Sequence, residues 1–307
     1  MLLLFKRAIR NYSQVPIYPK AKVSRQSTLR TLYSKYQDRK PISVITAHDY
    51  ISGKYANESE ADAVIIGDSL SMINLGYQST LEMSFEEFYY CCKAACRAID
   101  RKFIIADLPF GTFETSAEEC GRNAIKLMKL GKVQSIKLEG SYEITDQVKK
   151  LIDIGIPVTG HVGLQPQKFN ALGGYRVQGK TATDAIEIFR QAKYLQSLGV
   201  SLLVLEAIPS EVAKIITEEL NLPTIGIGAG KYTSGQVLVQ GDVLGMLNNK
   251  PAKFVRQYKN FYQEGIDGIN EYCRELNSDI YPEEGTHTYS MAQEEVKDLI
   301  ERIRSEK

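Results

Sequence analysis

Eight short apolar runs recur along this chain, and stretches with helical spacing separate most of them. Each run is apolar almost throughout, as is typical of strands that are covered on both faces of a parallel sheet. Eight strands alternating with helices favour a (β/α)8 barrel, also called a TIM barrel. The predicted strands are Ile42–Thr46, Val64–Gly67, Phe103–Ala106, Ser135–Leu138, Pro157–Gly160, Leu202–Leu205, Thr224–Gly228 and Gln236–Val239.

The segments around these strands have the apolar spacing of amphipathic helices. A short helix over Leu29–Tyr36 precedes the first strand, and Phe254–Leu276 is expected to close the barrel. A loop over 277–289 then leads to a final helix, Gln293–Ile303. The helices predicted between the strands are Phe85–Ile99, Ala117–Leu130, Glu143–Ile154, Thr183–Leu198 and Glu211–Leu220.

A doubly wound open sheet is the alternative architecture. Ligands in that fold gather at a switch point between a few strands. In this chain, four of the predicted strands are each followed at once by an acid, namely Asp68, Asp107, Glu139 and Glu206. All strands of a parallel barrel end at one face, so a barrel would bring the four acids together. We therefore predict a barrel with an N-terminal helix and a C-terminal helical extension.

Four carboxylates on one face repel each other unless a cation or a proton is shared among them. Oxygen ligands without thiols or paired histidines suit a hard cation such as Mg²⁺, which keeps positions for water and substrate. Such an ion stabilises the enolate that forms when a proton leaves the carbon beside a keto group. The pattern therefore indicates metal-assisted proton abstraction next to a carbonyl.

Each acid also has an ordinary structural interpretation. Asp68 could cap the following helix, and Asp107 could be a turn residue. Glu139 could pair with Lys137 in a surface salt bridge. Glu206 fits such interpretations least, because its neighbours in the sequence are apolar. A carboxylate in an apolar setting suits a general base that works near neutral pH.

Three basic side chains extend this set of candidates. Lys137 lies two residues before Glu139, so both leave the same face of the strand. There Lys137 can neutralise a substrate carboxylate or an enolate oxygen. His161 follows the fifth strand, where a catalytic role and a role as a hydrogen-bonded core histidine are both open. His48 follows the first strand and is a further candidate.

Two glycine-rich segments have different interpretations. Gly226–Gly230 has the spacing G-x-G-x-G, without the helix and the acid that a dinucleotide-binding loop requires. We assign it to the end of the seventh strand. The segment Gly173–Lys180 is long enough to act as a lid over a site.

The first 37 residues contain eight basic side chains and no acid, whereas the rest of the chain has a net charge of −7. A basic segment rich in Arg, Ser and Tyr is typical of a mitochondrial transit peptide. A helix over 2–9 would be amphipathic, and 10–13 resembles a matrix-processing site. We predict a presequence and linker over 1–27, one catalytic domain over 28–307, and a location in the mitochondrial matrix, with the cytoplasm as the alternative.

The alternative for this basic arm is nucleic-acid binding. The acidic remainder offers no basic patch to support it, so we expect no nucleic-acid partner. No run reaches the roughly 18 apolar residues of a membrane-spanning helix, so we expect no membrane partner either.

Ordered motifs in and after the predicted strands resemble those of the ketopantoate hydroxymethyltransferase family, also called 3-methyl-2-oxobutanoate hydroxymethyltransferase. The resemblance extends from about residue 28 to residue 289 and is closest to a fungal mitochondrial-type member. It rests on Thr46-Ala47-His48-Asp49-Tyr50, Val64–Leu70, Ala106–Phe110, Lys137–Gly140, Gly160–Gln167, Gly173–Gly179, Leu205-Glu206 and Ile225–Gly230.

This resemblance implies a barrel of the phosphoenolpyruvate mutase/isocitrate lyase type. It also implies transfer of a hydroxymethyl unit from 5,10-methylenetetrahydrofolate to 3-methyl-2-oxobutanoate through a Mg²⁺-stabilised enolate. The products would be 2-dehydropantoate and tetrahydrofolate, in the first step of pantothenate (coenzyme A precursor) biosynthesis. The family further implies a homo-oligomer, a decamer in its usual form.

The motif match also assigns roles to individual residues. The implied metal ligands are Asp68, Asp107 and Glu139, and the implied contacts to the keto acid are Asp68, Ser69, Asp107 and Lys137. Glu206 is the implied base that removes the proton from C3, and His161 lies in the implied site. His48 stands where the family usually has a Tyr close to the substrate, so it either replaces that hydrogen bond or changes the site slightly.

Two other functions fit part of the pattern. One is a different Mg²⁺-enolate reaction of the same barrel superfamily, such as C–C bond lysis or a mutase reaction. Those lyases carry a Cys-Gly-His loop, which this sequence lacks. The other is a barrel that has lost catalysis, against which the four acids and Lys137 argue.

Overall fold

A computed structural model describes residues 26–306. The predicted presequence helix and processing site lie outside the described residues. Eight parallel strands form a closed barrel in sequence order, because the last strand pairs with the first. The predicted barrel is therefore confirmed, and the open sheet is wrong. The strands are β1 (Ile42–Thr46), β2 (Ala63–Ile66), β3 (Phe103–Asp107), β4 (Ser135–Glu139), β5 (Val158–Gly163), β6 (Leu202–Glu206), β7 (Thr224–Ile227) and β8 (Gly235–Leu238).

Helices begin and end close to the predicted residues. Ser84 caps Phe85–Ala98 through a reciprocal pair of contacts with Glu87, and Ser116 caps Ala117–Met128 by accepting from the backbone of Glu119. None of the described helices is long and apolar enough to cross a membrane. The helices are Leu29–Gln37, Tyr50–Glu58, Leu70–Ile73, Phe85–Ala98, Ala117–Met128, Thr145–Asp153, Phe169–Leu172, Ala182–Leu198, Ser210–Glu219, Gln240–Leu244, Phe261–Asn277 and Gln293–Ser305.

Two of the longer helices differ from the predictions, and the short helices Leu70–Ile73, Phe169–Leu172 and Gln240–Leu244 were not predicted either. The helix expected from Phe254 begins at Phe261, where the Asn260 side chain accepts from the backbone N–H of Gln263 and caps it. The helix Tyr50–Glu58 was not predicted, because glycine, serine and tyrosine interrupt its apolar spacing. The predicted cap residues of other helices were easier to recognise because clear apolar periodicity follows them.

Two apolar cores result from the alternation of side chains along each strand. One set of alternating residues, which includes Ile65, Phe103 and Ile105, fills the inside of the barrel. The residues between them pack outward against the helices, as Ile104 and Leu138 do. Both faces of the strands are covered, which explains their continuous apolar sequences.

The leading helix Leu29–Gln37 covers the N-terminal end of the barrel. Its Leu32 is 1% exposed and belongs to the inner core. Tyr33 donates to the carbonyl of Ser201 just before β6, at 2.9 Å. This end is therefore closed, and the opposite end is left for ligands.

The described chain forms two compact units. The first contains the barrel, extends to Val243 and includes Lys250–Arg256. The second consists of Leu244–Asn249 and the chain from Gln257 onward. It contains the helix Phe261–Asn277, so the prediction that this helix closes the barrel is wrong, and it also contains the predicted C-terminal helix Gln293–Ser305. The division of the chain into a presequence and a single catalytic domain stays a prediction.

Gly163, the last residue of β5, lies at the mouth of the barrel where the backbone leaves no space for a side chain. Its φ of +95° is unfavourable for other residues, and an added Cβ would lie against the carbonyl oxygen of Glu206. Gly155 also has positive φ, +84°, but nothing lies within 4 Å of an added Cβ.

We expect Gly155→Ala to lower the free energy of unfolding by about 1 kcal/mol and Gly163→Ala by roughly 3 kcal/mol. Urea denaturation measures both, and equal losses would contradict the steric argument.

Candidate functional site

The inward positions at the C-terminal ends of four strands carry charged residues. Continuing the inner alternation of β3 past Phe103 and Ile105 leads to Asp107. The same alternation places Lys137 and Glu139 of β4, His161 of β5 and Glu206 of β6 at the mouth. The strand register sets Asp107 beside Lys137, and Glu139 beside His161.

These residues line a cavity of about 190 Å³. The charged lining residues come from β3 to β6 and from the loop after β2, whereas most of the apolar ones come from β6 to β8 and the residue just after it. A charged side and an apolar side of this kind suit a small molecule with one polar and one hydrocarbon end. The apolar side consists mainly of Ile65, Met72, Val204, Ile227, Val237 and Val239. The polar side consists of Thr46, Asp68, Ser69, Thr80, Asp107, Lys137, Glu139, His161 and Glu206, with Tyr175 also in the lining.

The ammonium group of Lys137 lies between two of the carboxylates. Its Nζ donates to Asp107 Oδ2 at 2.7 Å and is 3.8 Å from Glu139 Oε1. All three side chains are buried. Glu139 is thus paired inside the barrel, and a surface salt bridge is the wrong interpretation.

Asp68 lies just past the end of β2 and turns its carboxylate towards the loop after β5. Its Oδ2 accepts from Gln167 Nε2 at 2.7 Å, and its backbone N–H donates to Asp107 Oδ2 at 3.1 Å. The following helix, Leu70–Ile73, has no side-chain cap. The helix-cap interpretation of Asp68 is therefore wrong, and so is the turn interpretation of Asp107, which ends β3.

His161 connects two of the acids. Its Nδ1 lies 3.4 Å from Glu139 Oε1, and its Nε2 lies 3.3 Å from Glu206 Oε2. These are ion-pair contacts, because neither ring nitrogen has a well-aligned hydrogen-bond partner among the described residues. The ring is 1% exposed. His161 therefore faces the cavity, between the carboxylate of Glu139 and that of Glu206.

Burial and mutual repulsion decide the protonation of this cluster. Burial, together with the carboxylates of Glu139 and Asp107, raises the pKa of Asp68 to about 8. Burial opposes the charge on Lys137, but the surrounding carboxylates outweigh it and hold the Lys137 pKa above its usual value. Burial raises the pKa of Glu139, but His161 and Lys137 outweigh it and the pKa is lowered.

Burial and the neighbouring carboxylates also have opposite effects on the pKa of His161. Burial alone lowers it, but Glu139 and Glu206 raise it to about 9. His161 is thus a cation at neutral pH. Even so, the four acids outnumber Lys137 and His161 by two, which leaves the mouth with excess negative charge when all four are ionised.

Glu206 is the most accessible of the four acids. Its side chain is 17% exposed, whereas those of Asp107 and Glu139 are each 2% exposed. The next residue, Ala207, has a φ of +46°, a strained value for a residue with a side chain. The backbone N–H of Ala207 donates to the carbonyl of Ile227, and that of Gln178 donates to the Ala207 carbonyl. These bonds hold the backbone beside Glu206 in place.

The remaining predicted residues fall into two groups. Ser69 lines the cavity. His48 is buried, with its backbone N–H on Ser52 Oγ at 2.9 Å, but it is not among the described residues that line this cavity. Thr46, the last residue of β1, lines the cavity instead. Burial lowers the pKa of His48, and a contact between His48 and substrate stays a prediction.

Sequence reasoning missed Gln167 and Tyr175. Gln167 lies in a motif that was recognised only as part of the resemblance, and nothing local marks its contact with Asp68 ninety-nine residues away. Tyr175 belongs to the predicted lid segment, packs on Phe169 with ring centroids 4.9 Å apart, and contacts Met72 Sδ through its hydroxyl at 3.5 Å. Its position in the cavity lining agrees with a lid.

The fold and the site define a (β/α)8-barrel enzyme with a ring of carboxylates around one lysine at the C-terminal end of the barrel. A family model described as ketopantoate hydroxymethyltransferase matches residues 26–284. The chain is 43% identical over 305 residues to 3-methyl-2-oxobutanoate hydroxymethyltransferase of Emericella nidulans, covering 96% of this chain and 85% of that protein. It is 40% identical over 288 residues to the enzyme of that name from Saccharomyces cerevisiae, covering 92% of each.

Solved structures show the same fold at low sequence identity. Phosphonopyruvate hydrolase, solved with oxalate and Mg²⁺, has a TM-score of 0.55 and 11% identity, covering 91% of this chain and 97% of that one. A 2,3-dimethylmalate lyase of the phosphoenolpyruvate mutase/isocitrate lyase superfamily has a TM-score of 0.51 and 12% identity, covering 90% and 98%. These structures share the predicted (β/α)8-barrel fold with this chain.

The chain belongs to the ketopantoate hydroxymethyltransferase family. It is an enzyme of the 3-methyl-2-oxobutanoate hydroxymethyltransferase type, so the barrel that has lost catalysis and the lyase or mutase reactions are not its function.

The pKa values predict how the cation-free protein responds to pH. Folded Asp68 keeps a proton up to a pKa of about 8, against 3.8 for an ordinary aspartate, and His161 up to about 9, against 6.5. The folded state therefore binds more protons than the unfolded state between these values. The free energy of unfolding should fall as pH rises from 6.5 to 9, by at most about 1.4 kcal/mol per pH unit for each group.

Urea denaturation of EDTA-treated protein across this pH range measures the slope. Asp68→Asn should flatten it below pH 8, while Asp153→Asn, on an exposed helix end, should leave it unchanged. An identical slope in wild type and Asp68→Asn would show that Asp68 ionises normally.

Proposed function

We propose that this enzyme forms the enolate of 3-methyl-2-oxobutanoate with the help of Mg²⁺. The enolate then takes a one-carbon unit from 5,10-methylenetetrahydrofolate, giving 2-dehydropantoate for pantothenate synthesis. The observation that carries the proposal is the cavity itself. Its polar side collects Lys137 and four acids, and its apolar side fits a short branched hydrocarbon.

The apolar side supports a keto acid with an isopropyl group. Val204, Ile227 and Val237 lie on successive strands and contribute branched side chains to the lining. Lys137 at the opposite side suits the negative oxygens of the keto acid. A substrate of this shape would direct its C3 hydrogen to the apolar side and its carboxylate to the charged side.

Two observations support a divalent cation among the acids. Asp107 Oδ1 is buried without a hydrogen-bond partner among the described residues, which leaves one carboxylate oxygen able to coordinate an ion. With all four acids ionised the excess negative charge of the mouth is two, which a divalent cation would neutralise by taking the place of the proton that Asp68 otherwise keeps. Asp68, Asp107 and Glu139 are the residues that would hold it, the last directly or through water.

No three His, Cys, Asp or Glu side chains within residues 26–306 already converge as a metal site. Mg²⁺ tolerates this arrangement, because it keeps several waters and binds through as few as one or two carboxylates. When bound, it would draw electron density from the keto group and so acidify the neighbouring C3 hydrogen.

Glu206 is the group that we assign to remove the C3 proton. It is the most accessible acid, it borders the apolar side, and its carboxylate lies against His161 Nε2. The proton moves from C3 to the carboxylate, and the electron pair of the C–H bond becomes the enolate. C3 then bonds to the methylene carbon, both C–N bonds that join this carbon to the folate break, and water supplies the hydroxyl oxygen of the product. The two released folate nitrogens take up the proton that Glu206 removed and one proton of the water, which gives tetrahydrofolate.

The purified enzyme provides the direct test of this function. With Mg²⁺, 3-methyl-2-oxobutanoate and methylenetetrahydrofolate, we expect 2-dehydropantoate to form, and EDTA should abolish its formation. Product formation that persists after complete removal of divalent metal would contradict the assignment of Mg²⁺.

The variant Glu206→Gln isolates the proton-removal step. It should keep the keto-acid affinity within about twofold but slow exchange of the C3 proton with solvent deuterium at least ~100-fold, since a general base contributes 10²–10⁴-fold. NMR follows this exchange without folate. Glu211→Gln, five residues away in the first turn of the next helix, is the matched control. Wild-type exchange in Glu206→Gln would exclude Glu206 as the base.

We also propose a homo-oligomer, in line with the decamer of the family. The helices Phe261–Asn277 and Gln293–Ser305 bury none of their residues within the described chain, although they carry apolar side chains such as Ile269 and Leu299. Apolar helix faces of this kind are usually covered by a partner. Further copies of this chain would cover them.

The matrix location is a proposal that rests on the N-terminal sequence. Eight basic residues without an acid in the first 37 positions suit import through a presequence.

A further inference from the structure

Gln167 lies beside the cluster of acids without contributing to the cavity lining. It belongs to a short 3₁₀ turn, Pro166–Lys168, just after β5, and is 5% exposed. A buried glutamine needs partners for its amide, and here the partners are unusual. They include two of the carboxylates that we assign to the cation.

Three hydrogen bonds connect this one residue to three strand ends. Its backbone N–H donates to Glu139 Oε2 at 3.0 Å. Its side-chain Nε2 donates to Asp68 Oδ2 at 2.7 Å and to the carbonyl of Leu108 at 2.9 Å. Glu139 ends β4, Asp68 follows β2 and Leu108 follows β3.

The orientation of the amide follows from these partners. Both neighbours of Nε2 are oxygen acceptors, so turning the amide around would place its oxygen against two other oxygens. A carboxylate side chain at this position would suffer the same repulsion. A glutamine therefore fits here and a glutamate does not.

The two groups with which Gln167 donates, its backbone N–H and its side-chain amide, carry no charge. Hydrogen bonds to a carboxylate stabilise its charge and fix its direction. A lysine or arginine side chain would also orient the carboxylate, but its positive charge would cancel the negative charge that attracts a cation. The amide and the backbone N–H hold the two carboxyl groups without adding positive charge to the site.

We propose that Gln167 is a positioning residue that holds Asp68 and Glu139 in the arrangement that binds Mg²⁺ and the keto acid. This rests on the function proposed above. Residues that orient metal-binding side chains in this way typically change metal affinity 10–100-fold when they are replaced.

The variant Gln167→Met tests the role, because methionine has a similar length and makes no such hydrogen bond. Titration calorimetry with Mg²⁺ alone, and with 3-methyl-2-oxobutanoate in saturating Mg²⁺, should give affinities about 10–100-fold below wild type. The matched control is Gln147→Met. Gln147 is also buried, and its Nε2 donates to the carbonyl of Phe113 at 3.1 Å, away from the acids. It should lose stability but keep both affinities.

Kinetics separate positioning from general damage. The KM for the keto acid should rise about 10-fold or more, while the KM for methylenetetrahydrofolate stays within about twofold. Affinities of Gln167→Met within about threefold of wild type would overturn the proposal. If that variant does not fold by circular dichroism, Gln167→Asn, which is too short to reach Asp68, takes its place with the same expected losses.

Binding of Mg²⁺ to the wild-type enzyme separates a failure of this proposal from a failure of the proposed function on which it rests. A wild-type enzyme that binds no Mg²⁺ would refute the metal assignment. The ratio of the keto-acid affinities of wild type and variant would then still decide the role of Gln167.

Discussion

Negative charge must be compensated at the mouth of this barrel, because burying a carboxylate without a partner costs several kcal/mol. The compensation comes from three kinds of group. Lys137 pairs with Asp107, His161 lies between Glu139 and Glu206, and Gln167 donates to Asp68. The compensation is incomplete, which is why Asp68 tends to keep a proton. A cation that takes the place of this proton would complete the compensation.

The positions of these groups depend on closure of the barrel. Alternation along each strand decides which side chains point inward, and the register between strands decides which inward side chains are neighbours. Asp107 lies beside Lys137 because β3 and β4 pair with that register, and Glu139 lies beside His161 for the same reason. Below this charged layer the inward side chains are mostly apolar, apart from Ser135 and Thr159, whose hydroxyl groups hydrogen-bond to each other at 2.8 Å.

Much of the fold could be predicted from the sequence, because each strand is a local apolar run. All eight strands lie within a few residues of their predicted positions. Prediction was poorest where local signals conflict. The helix expected from Phe254 begins at Phe261, since Asn260 supplies the cap, and Tyr50–Glu58 lacks clear periodicity. Apolar spacing alone could not distinguish the C-terminal helices from the outer helices of the barrel, and these helices form a second compact unit.

The sequence by itself determined the barrel, the acids at the strand ends, and the shared face of Lys137 and Glu139, because alternation and apolar runs are local properties. Only the tertiary structure decided which charges pair. The contact from Gln167 to Asp68 spans ninety-nine residues, and it exists only because closure of the barrel brings the end of β5 across to the end of β2. Likewise, Thr46 lines the cavity while His48 does not, since β1 ends at Thr46 and the chain then turns into the next helix.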